Sequence, residues 1–486
     1  MITNAPISIS GLGQLLVFGA IVITVGLLTL WRTRAPHRHS GEESRELFLA
    51  GGSLTWVYVA GSITITNLGT EQLVGMNGNQ MALLALWELS AVVGLIILAT
   101  VFVPIYYRNN CTTTTELLER RYGDDRIRTM ISTLFMFGYL FISMPSALYT
   151  GALFMRSVFG IELSYIALGT GIALLGALYG VMGGLRAVAI SETFSGASLL
   201  IICLIIVWLA LQAIGFDFSG IPAERLTLIG DDESPIPWHT LLTGMVFIQI
   251  FYWSTNQAIT QRAMASPTVR EAQKGVIAAA AIRLLIVPTI VVLPGIIAYK
   301  LYGDIGDAAF GTIVGGVLPP WLSGAFAAIL ITSVATHFVA ILNSAAALYV
   351  CDIHQKYVNP QVSVKRLNLA ISAVFIGISI AMIPVYSDAE SIINLLQELN
   401  GLLSMPILSA FIVGLLFRDV DARAAIFGVC FGIATYAFFT FVIAPFDLHY
   451  IHLMFITLWL SVGAALAFNR LVFGQRASFA GFRQRA

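Results

Sequence analysis

The sequence predicts an all-α integral membrane protein with about 13 transmembrane helices, most of them in two five-helix units of opposite orientation. Three observations carry this. The 486 residues are 58% hydrophobic and 11% charged, with mean hydropathy +0.86. That is too little charge for a soluble surface and too apolar for disorder. Apolar runs long enough to cross a hydrocarbon core of ~30 Å at ~1.5 Å per residue recur along the chain. Two of these runs, five spans apart, are interrupted by polar clusters of similar make-up: TNLGTEQLVG (66–75) and FYWSTNQAITQR (251–262).

Span 1 covers 10–31. It is too long for a signal peptide, lacks a basic leader and runs directly into a basic loop, so 1–53 reads as a flanking helix and loop. The first unit, 54–214, holds spans at 54–80, 82–107, 129–157, 162–182 and 189–214. A non-membrane stretch, 215–237, leads to the second unit, 238–417, with spans at 238–262, 276–302, 320–350, 367–386 and 391–417. Two flanking spans, 423–446 and 449–473, and a short tail complete 418–486. The connecting stretches are too short for a soluble domain, so function is expected in the bundle.

Net charge is zero, but its distribution is not even. Of the 26 Lys and Arg residues, all but Arg156, Arg225, Lys300 and the intramembrane Arg283 fall on one face. The positive-inside bias makes that face cytoplasmic, with the N-terminus outside, the C-terminus inside and an odd number of spans in a plasma or bacterial inner membrane. Cys111 and Cys351 lie on that face and Cys203 and Cys430 in spans, so no disulfide framework is implied.

Irregular backbone survives in lipid only where it lines a cavity. In the first cluster Gly69 weakens the helix, while Thr66, Asn67 and Thr70 offer local backbone bonds. A break there frees carbonyls such as those of Ile65 and Leu68 to face a cation and aims the next half-helix inward. An unbroken helix packing its polar face on neighbours is the alternative. The second cluster repeats the chemistry with Thr255, Asn256 and Gln257. Paired broken helices leading inverted units belong to secondary transporters with a site near the midplane.

Around the start of the second cluster Gln249, Tyr252, Trp253 and Asn256 stand at i, i+3, i+4 and i+7, one face of a regular helix. An aromatic plane beside amides suits a sugar; the same stripe also suits plain helix packing. Glu88 and Arg283 are ionisable groups at membrane depth, which face a cavity or each other. A structural ion pair, or an arginine snorkelling to the surface, is the plainer reading. Glu71 is equally anomalous and its role is open. Ser333, Thr336, His337, Ala340 and Ser344 form one inward stripe.

The stretches NLGTEQLVGMNG (67–78), FYWSTNQAITQR, VREAQKG (269–275), VVLPGIIAY (291–299) and LNSAAALYVCDI (342–353) resemble the sodium/solute symporter family. The likeness is greatest to its bacterial sodium–sugar branch and runs from about residue 46 to about 470. It implies a LeuT-type five-plus-five inverted repeat and sodium-coupled sugar symport by alternating access. At matching positions it implies Glu88, Gln72 with Asn67, and Gln397 as contacts to sugar hydroxyls, and Tyr252, followed by Trp253, as the ring beneath the sugar. Gln249 stands where these carriers often have asparagine, Arg283 where they have lysine, and Ala91 where a hydroxyl is often present. Arginine's planar fork suits carboxylates, which leaves a more acidic sugar open.

For Na⁺ the resemblance implies carbonyls of the first broken helix, a carbonyl of span 9 and two adjacent hydroxyls. The corresponding positions are Ile65, Leu68, Ser333, Thr336 and His337, with Glu192 at an acidic position assisting ion release. Imidazole is a poor Na⁺ ligand. Either Thr336 and the carbonyls still hold Na⁺, or a proton on His337 replaces it, or coupling is lost. The expected partners are a sugar-like solute and the bilayer, with no nucleic acid, no enzymatic activity and no cofactor beyond the coupling ion. A receptor on this fold would need an output domain. An enzyme would need a nucleophile–base pair with its oxyanion donors, which Ser333 and His337 lack.

Overall fold

A helix satisfies its own backbone in hydrocarbon, and almost every apolar run is helical in the computed structural model, which describes residues 12–33, 43–159, 161–181, 184–387, 392–443 and 448–481. The principal helices are α1 (Leu12–Thr33), α2 (Trp56–Thr66), α3 (Thr70–Gly78), α4 (Ala82–Arg108), α5 (Asp125–Arg156), α6 (Tyr165–Val181) and α7 (Gly184–Ala213). They continue with α8 (Gly244–Ile250), α9 (Gln257–Met264), α10 (Val269–Tyr302), α11 (Pro320–Ala347), α12 (Val364–Ser387), α13 (Ile392–Leu416), α14 (Ala422–Val442) and α15 (Tyr450–Phe473). Among the described residues nine helices are long and apolar enough to cross a membrane. The remaining expected spans coincide with α1, the pair α2 and α3, α6, and the pair α8 and α9. Large exposed apolar side chains, among them Ile96, Trp208, Val374 and Trp459, ring the bundle as a lipid-facing surface demands.

Both polar clusters interrupt their helices. α2 ends at Thr66, where the Leu68 amide turns back to the Ile65 carbonyl (3.0 Å), and α3 starts after Gly69 in an extended conformation (φ −85°, ψ 174°). α8 widens into a π-turn over Phe251–Thr255 and stops at Asn256 (φ −67°, ψ 122°). The Asn256 side chain accepts from the Ala258 amide (2.9 Å) and so caps α9.

Packing relations recur with the two units exchanged. α2 packs on α10 as α8 packs on α4; α6 packs on α11 as α12 packs on α5; α4 meets α10, and α6 meets α12. This is the LeuT-type arrangement of two five-helix units with α1, α14 and α15 flanking. Close approach depends on glycine where α4 crosses α8: a Cβ on Gly94 would run into the Gln249 carbonyl and the Trp253 ring.

Several boundaries differ from the sequence reading. α10 starts at Val269 rather than 276 and bends at Ile286, because Pro288 supplies no amide hydrogen to the turn. α11 runs on through a wide-turned segment to Val358. A helix at Ala308–Val317, too short to read as a span, packs against α3 and the end of α5. The 215–237 stretch contains a short helix, Ala223–Leu226, and Thr114–Tyr122 is helical between α4 and α5. Near the end of the chain, β1 (Phe417–Arg418) pairs antiparallel with β2 (Ser478–Phe479).

Candidate functional site

Between the two helix breaks lies a cavity of about 630 Å³. It reaches the face that carries the 215–237 stretch, where Glu233, Pro235, His449 and Tyr450 form its rim. Thr66, Asn67 and Gln72 line it from the first break, Glu88 from α4, Tyr252 and Asn256 from the second, and Ser146, His337 and Asn400 from α5, α11 and α13. This position follows from the breaks: half-helices expose amides and carbonyls that only a wet chamber or a polar ligand can satisfy.

Glu88 and Arg283 are fully buried and pair with each other. Gln72 donates to the other Glu88 oxygen. Arg283 Nη2 also donates to the Thr64 carbonyl (3.1 Å), and the guanidinium lies over the Trp253 ring at 4.5 Å. In the amide orientation that satisfies both neighbours, Asn67 accepts from Arg283 Nη2 (2.9 Å) and Nη1 (3.0 Å) and donates to the Tyr252 hydroxyl (2.5 Å). Asn67, Gln72, Glu88 and Tyr252 therefore form one connected polar wall, with Arg283 a layer behind it.

Gln249, Tyr252, Trp253 and Asn256 all line the cavity. The Gln249 amide donates to the Trp87 carbonyl (3.1 Å) and Ser90 Oγ (2.8 Å), and its oxygen accepts from the Trp253 indole (2.9 Å), which ties both residues to the α4 side of it. Tyr252 faces Asn67, and Asn256 accepts from the Tyr139 hydroxyl (2.6 Å). The π-turn inserts extra backbone between Gln249 and Asn256 and spreads the set around the wall. The side chains of Glu71 and Gln397 lie outside the described residues.

Around the expected ion positions, α11 packs against α2. Thr336 Oγ1 donates to the Ser333 carbonyl (3.0 Å) and lies 3.2 Å from Ser195 Oγ. His337, 4% exposed, lines the cavity instead of adding a third oxygen there. The Ile65, Leu68, Ser333 and Thr336 oxygens are hard donors of the type Na⁺ takes.

Glu192 is not at a helix end beside water. It is fully buried, accepts from Ser62 and from Thr66 Oγ1 (2.9 Å), and pairs with Arg262 Nε at 3.4 Å. Arg262 also donates to Ser62 Oγ (3.0 Å) and the Ala258 carbonyl. The sequence reading ends a span at Arg262 and counts it on the cytoplasmic face; the structure buries it completely inside α9. Together Glu192, Arg262, Ser62 and Thr66 tie α2, α7 and α9 into a plug on the side of the cavity away from its rim.

The sodium:solute symporter family model matches residues 47–432. The chain is 33% identical over 480 residues to an uncharacterised symporter, YidK, of Escherichia coli (strain K12), covering 92% of this chain and 82% of that one. It is 30% identical over 493 residues to a sodium/glucose cotransporter of Vibrio parahaemolyticus, covering 94% and 89%. A solved sodium-coupled sialic acid symporter superposes with a TM-score of 0.83 at 16% identity over 97% of this chain and 99% of that one, which is a likeness of fold.

Proposed function

Since the chain belongs to the sodium:solute symporter family, we propose that it carries a neutral sugar together with Na⁺, by alternating access to the cavity between its two broken helices. The observation that carries the solute class is the engagement of both terminal nitrogens of Arg283. Nη1 and Nη2 serve Glu88, Thr64 and Asn67 and the guanidinium face lies over Trp253, which leaves only the buried Nε without a partner and no two-nitrogen fork for a substrate carboxylate. With Glu88 and Arg283 cancelling each other, the wall presents amides and the Tyr252 phenol, with the Glu88 carboxylate held directly behind the Gln72 amide. Hydroxyl groups above an aromatic ring match that wall. A sugar acid does not.

In this reading Asn67, Gln72, Glu88, Tyr252 and Gln397 meet the sugar, while Gln249, Trp253 and Arg283 hold the wall in place. Na⁺ is the co-transported substrate, held by the Ile65, Leu68 and Ser333 carbonyls and the Thr336 hydroxyl. Coupling follows if Na⁺ keeps the first break in the shape that presents Asn67 and Gln72. The rim face is assigned to the outside and the Glu192–Arg262 plug to the cytoplasmic side, in a plasma or bacterial inner membrane, because the basic loops lie on the latter. Glu192, bonded to Ser62 and Thr66 one turn from Ile65, is the group through which a change at the ion site reaches the plug.

Counterflow in proteoliposomes with labelled sugars and sugar acids, run with and without Na⁺, tests both parts. Na⁺-dependent exchange of a neutral sugar is expected; exchange restricted to sugar acids, or with no sugar at all, overturns the solute assignment. A second reading, proton coupling, draws on His337 lining the cavity. Uptake in choline buffer that rises on acidification favours it, whereas uptake without Na⁺ that ignores pH removes both coupled readings.

A further inference from the structure

Three of the seven histidines meet at the cavity rim, where the 230–238 segment crosses the starts of α8 and α15. His239 Nε2 lies 3.0 Å from Asp232 Oδ1, His239 Nδ1 lies 2.6 Å from His452 Nε2, and His452 Nδ1 lies 2.9 Å from Thr243 Oγ1. The His239 and His452 rings stack at 4.7 Å and 16°. His449 Nε2 is 3.2 Å from the Pro235 carbonyl, and its Nδ1 accepts from the Ile451 amide (3.3 Å).

These bonds fix where the protons sit. A carboxylate and a carbonyl only accept, so His239 and His449 both carry hydrogen on Nε2. His239 Nδ1 must then accept from His452 Nε2–H, and His452 Nδ1 accepts from the Thr243 hydroxyl. This set satisfies every ring nitrogen with all three rings neutral. One proton can enter at His452 Nδ1 if the Thr243 hydroxyl turns to accept, with Asp232 balancing the charge along the relay. A second has no acceptor: on His239 Nδ1 it points at His452 Nε2–H, and on His449 Nδ1 at the Ile451 N–H. Other titratable groups facing the cluster are Asp231 and Glu233 from the segment and Tyr450 beside His449. Burial, followed by the neighbouring His452 and His239, holds His449 below the ordinary imidazole value, against the Pro235 bond that raises it.

We propose that this relay is a pH-sensitive latch that seats the 230–238 segment as the cavity rim while it carries at most one added proton and releases it when acidification of that face drives in a second. The seated relay has no acceptor for that second proton, so seating is complete above the ordinary imidazole pKa of about 6.5 and is lost as a second ring takes a proton below it. Glu233 to Ile236 line the cavity, so release weakens solute capture from that face. The regulatory role rests on the carrier reading; the seating does not.

Hydrogen exchange of the whole protein in lipid nanodiscs, followed by mass spectrometry of peptides spanning 230–243, reads the latch without any solute. After correction for intrinsic rates, protection in that segment is expected to fall about tenfold between about pH 7.5 and about pH 5.5, with α10 unchanged as the internal reference. In His452→Gln/His449→Gln, and separately in His239→Gln/His449→Gln, one ring remains with an acceptor for its proton, and the drop is expected to disappear. Equal protection of the wild-type segment at both pH values overturns the latch, as does a drop that persists in both folded double variants. Because no transport is measured, failure here leaves the carrier reading standing, and a failed counterflow leaves the latch standing.

Discussion

Glu88 and Arg283 each have their whole side chain out of contact with water, and the energetics of such a pair set what a substitution means. Removing one partner strands the other charge in low dielectric and costs about 3–5 kcal/mol, whereas removing both is often far milder. Glu88→Ala is therefore expected to abolish transport and to lower stability together, so loss of uptake alone does not isolate a sugar contact. The double variant Glu88→Ala/Arg283→Ala is expected to unfold at a higher temperature in detergent than either single variant. If its loss equals the sum of the two, the pair is not coupled. At the proposed ion site, Thr336→Ala removes a hard oxygen and is expected to raise the Na⁺ concentration for half-maximal uptake about tenfold, near 1.4 kcal/mol. His337→Ser supplies a hydroxyl and is expected to lower it. Na⁺ curves that coincide with wild type for both variants would take those residues out of the ion site.

The two interrupted helices work by different local devices. The first break uses Gly69 and a backbone turn from Leu68 to Ile65; the second uses a π-turn and the Asn256 cap, held from α5 by Tyr139. Asn256→Ala removes both the cap and the Tyr139 bond, and the cap alone contributes about 1 kcal/mol. Lower thermal stability is expected, with uptake falling more than Tyr139→Phe causes, since the latter removes the hydroxyl's bonds to Asn256 and the Ala258 amide but leaves the Asn256 cap. Where α4 crosses α8, Gly94→Val inserts atoms against the Gln249 carbonyl and Trp253. Overpacking of about 1–3 kcal/mol is expected, with loss of uptake because Gln249 and Trp253 support the Arg283 wall. Normal unfolding temperature and uptake in that variant would show that the two helices part freely.

Taken whole, the bundle presents a chamber reaching one face and a buried ionic plug toward the other, and exchange between two such states is what a carrier requires. Ala258 lines the floor of the chamber and its carbonyl accepts from Arg262. The thiol introduced by Ala258→Cys is expected to resist an impermeant maleimide added at the plug face, and to react once Glu192→Gln weakens the pair with Arg262. Equal labelling with and without that change would mean the plug does not seal the chamber. Membrane class, most span positions and both interruptions were legible in the sequence, because they depend on apolar run length and on local backbone chemistry, which a stretch such as TNLGTEQLVG carries by itself. Glu88 and Arg283 were legible as anomalies for the same reason: charge at membrane depth demands a partner wherever it occurs. The partners themselves were not. That Arg262 closes on Glu192, that Gln249 is spent on Trp87 and Ser90, and that His239 meets His452 are all decided by which faces the packed helices turn toward each other. Those faces depend on side-chain fit across 70 to 213 residues of chain, and a π-turn of five residues at 251–255 is enough to rotate them away from the spacing that the sequence alone would assign.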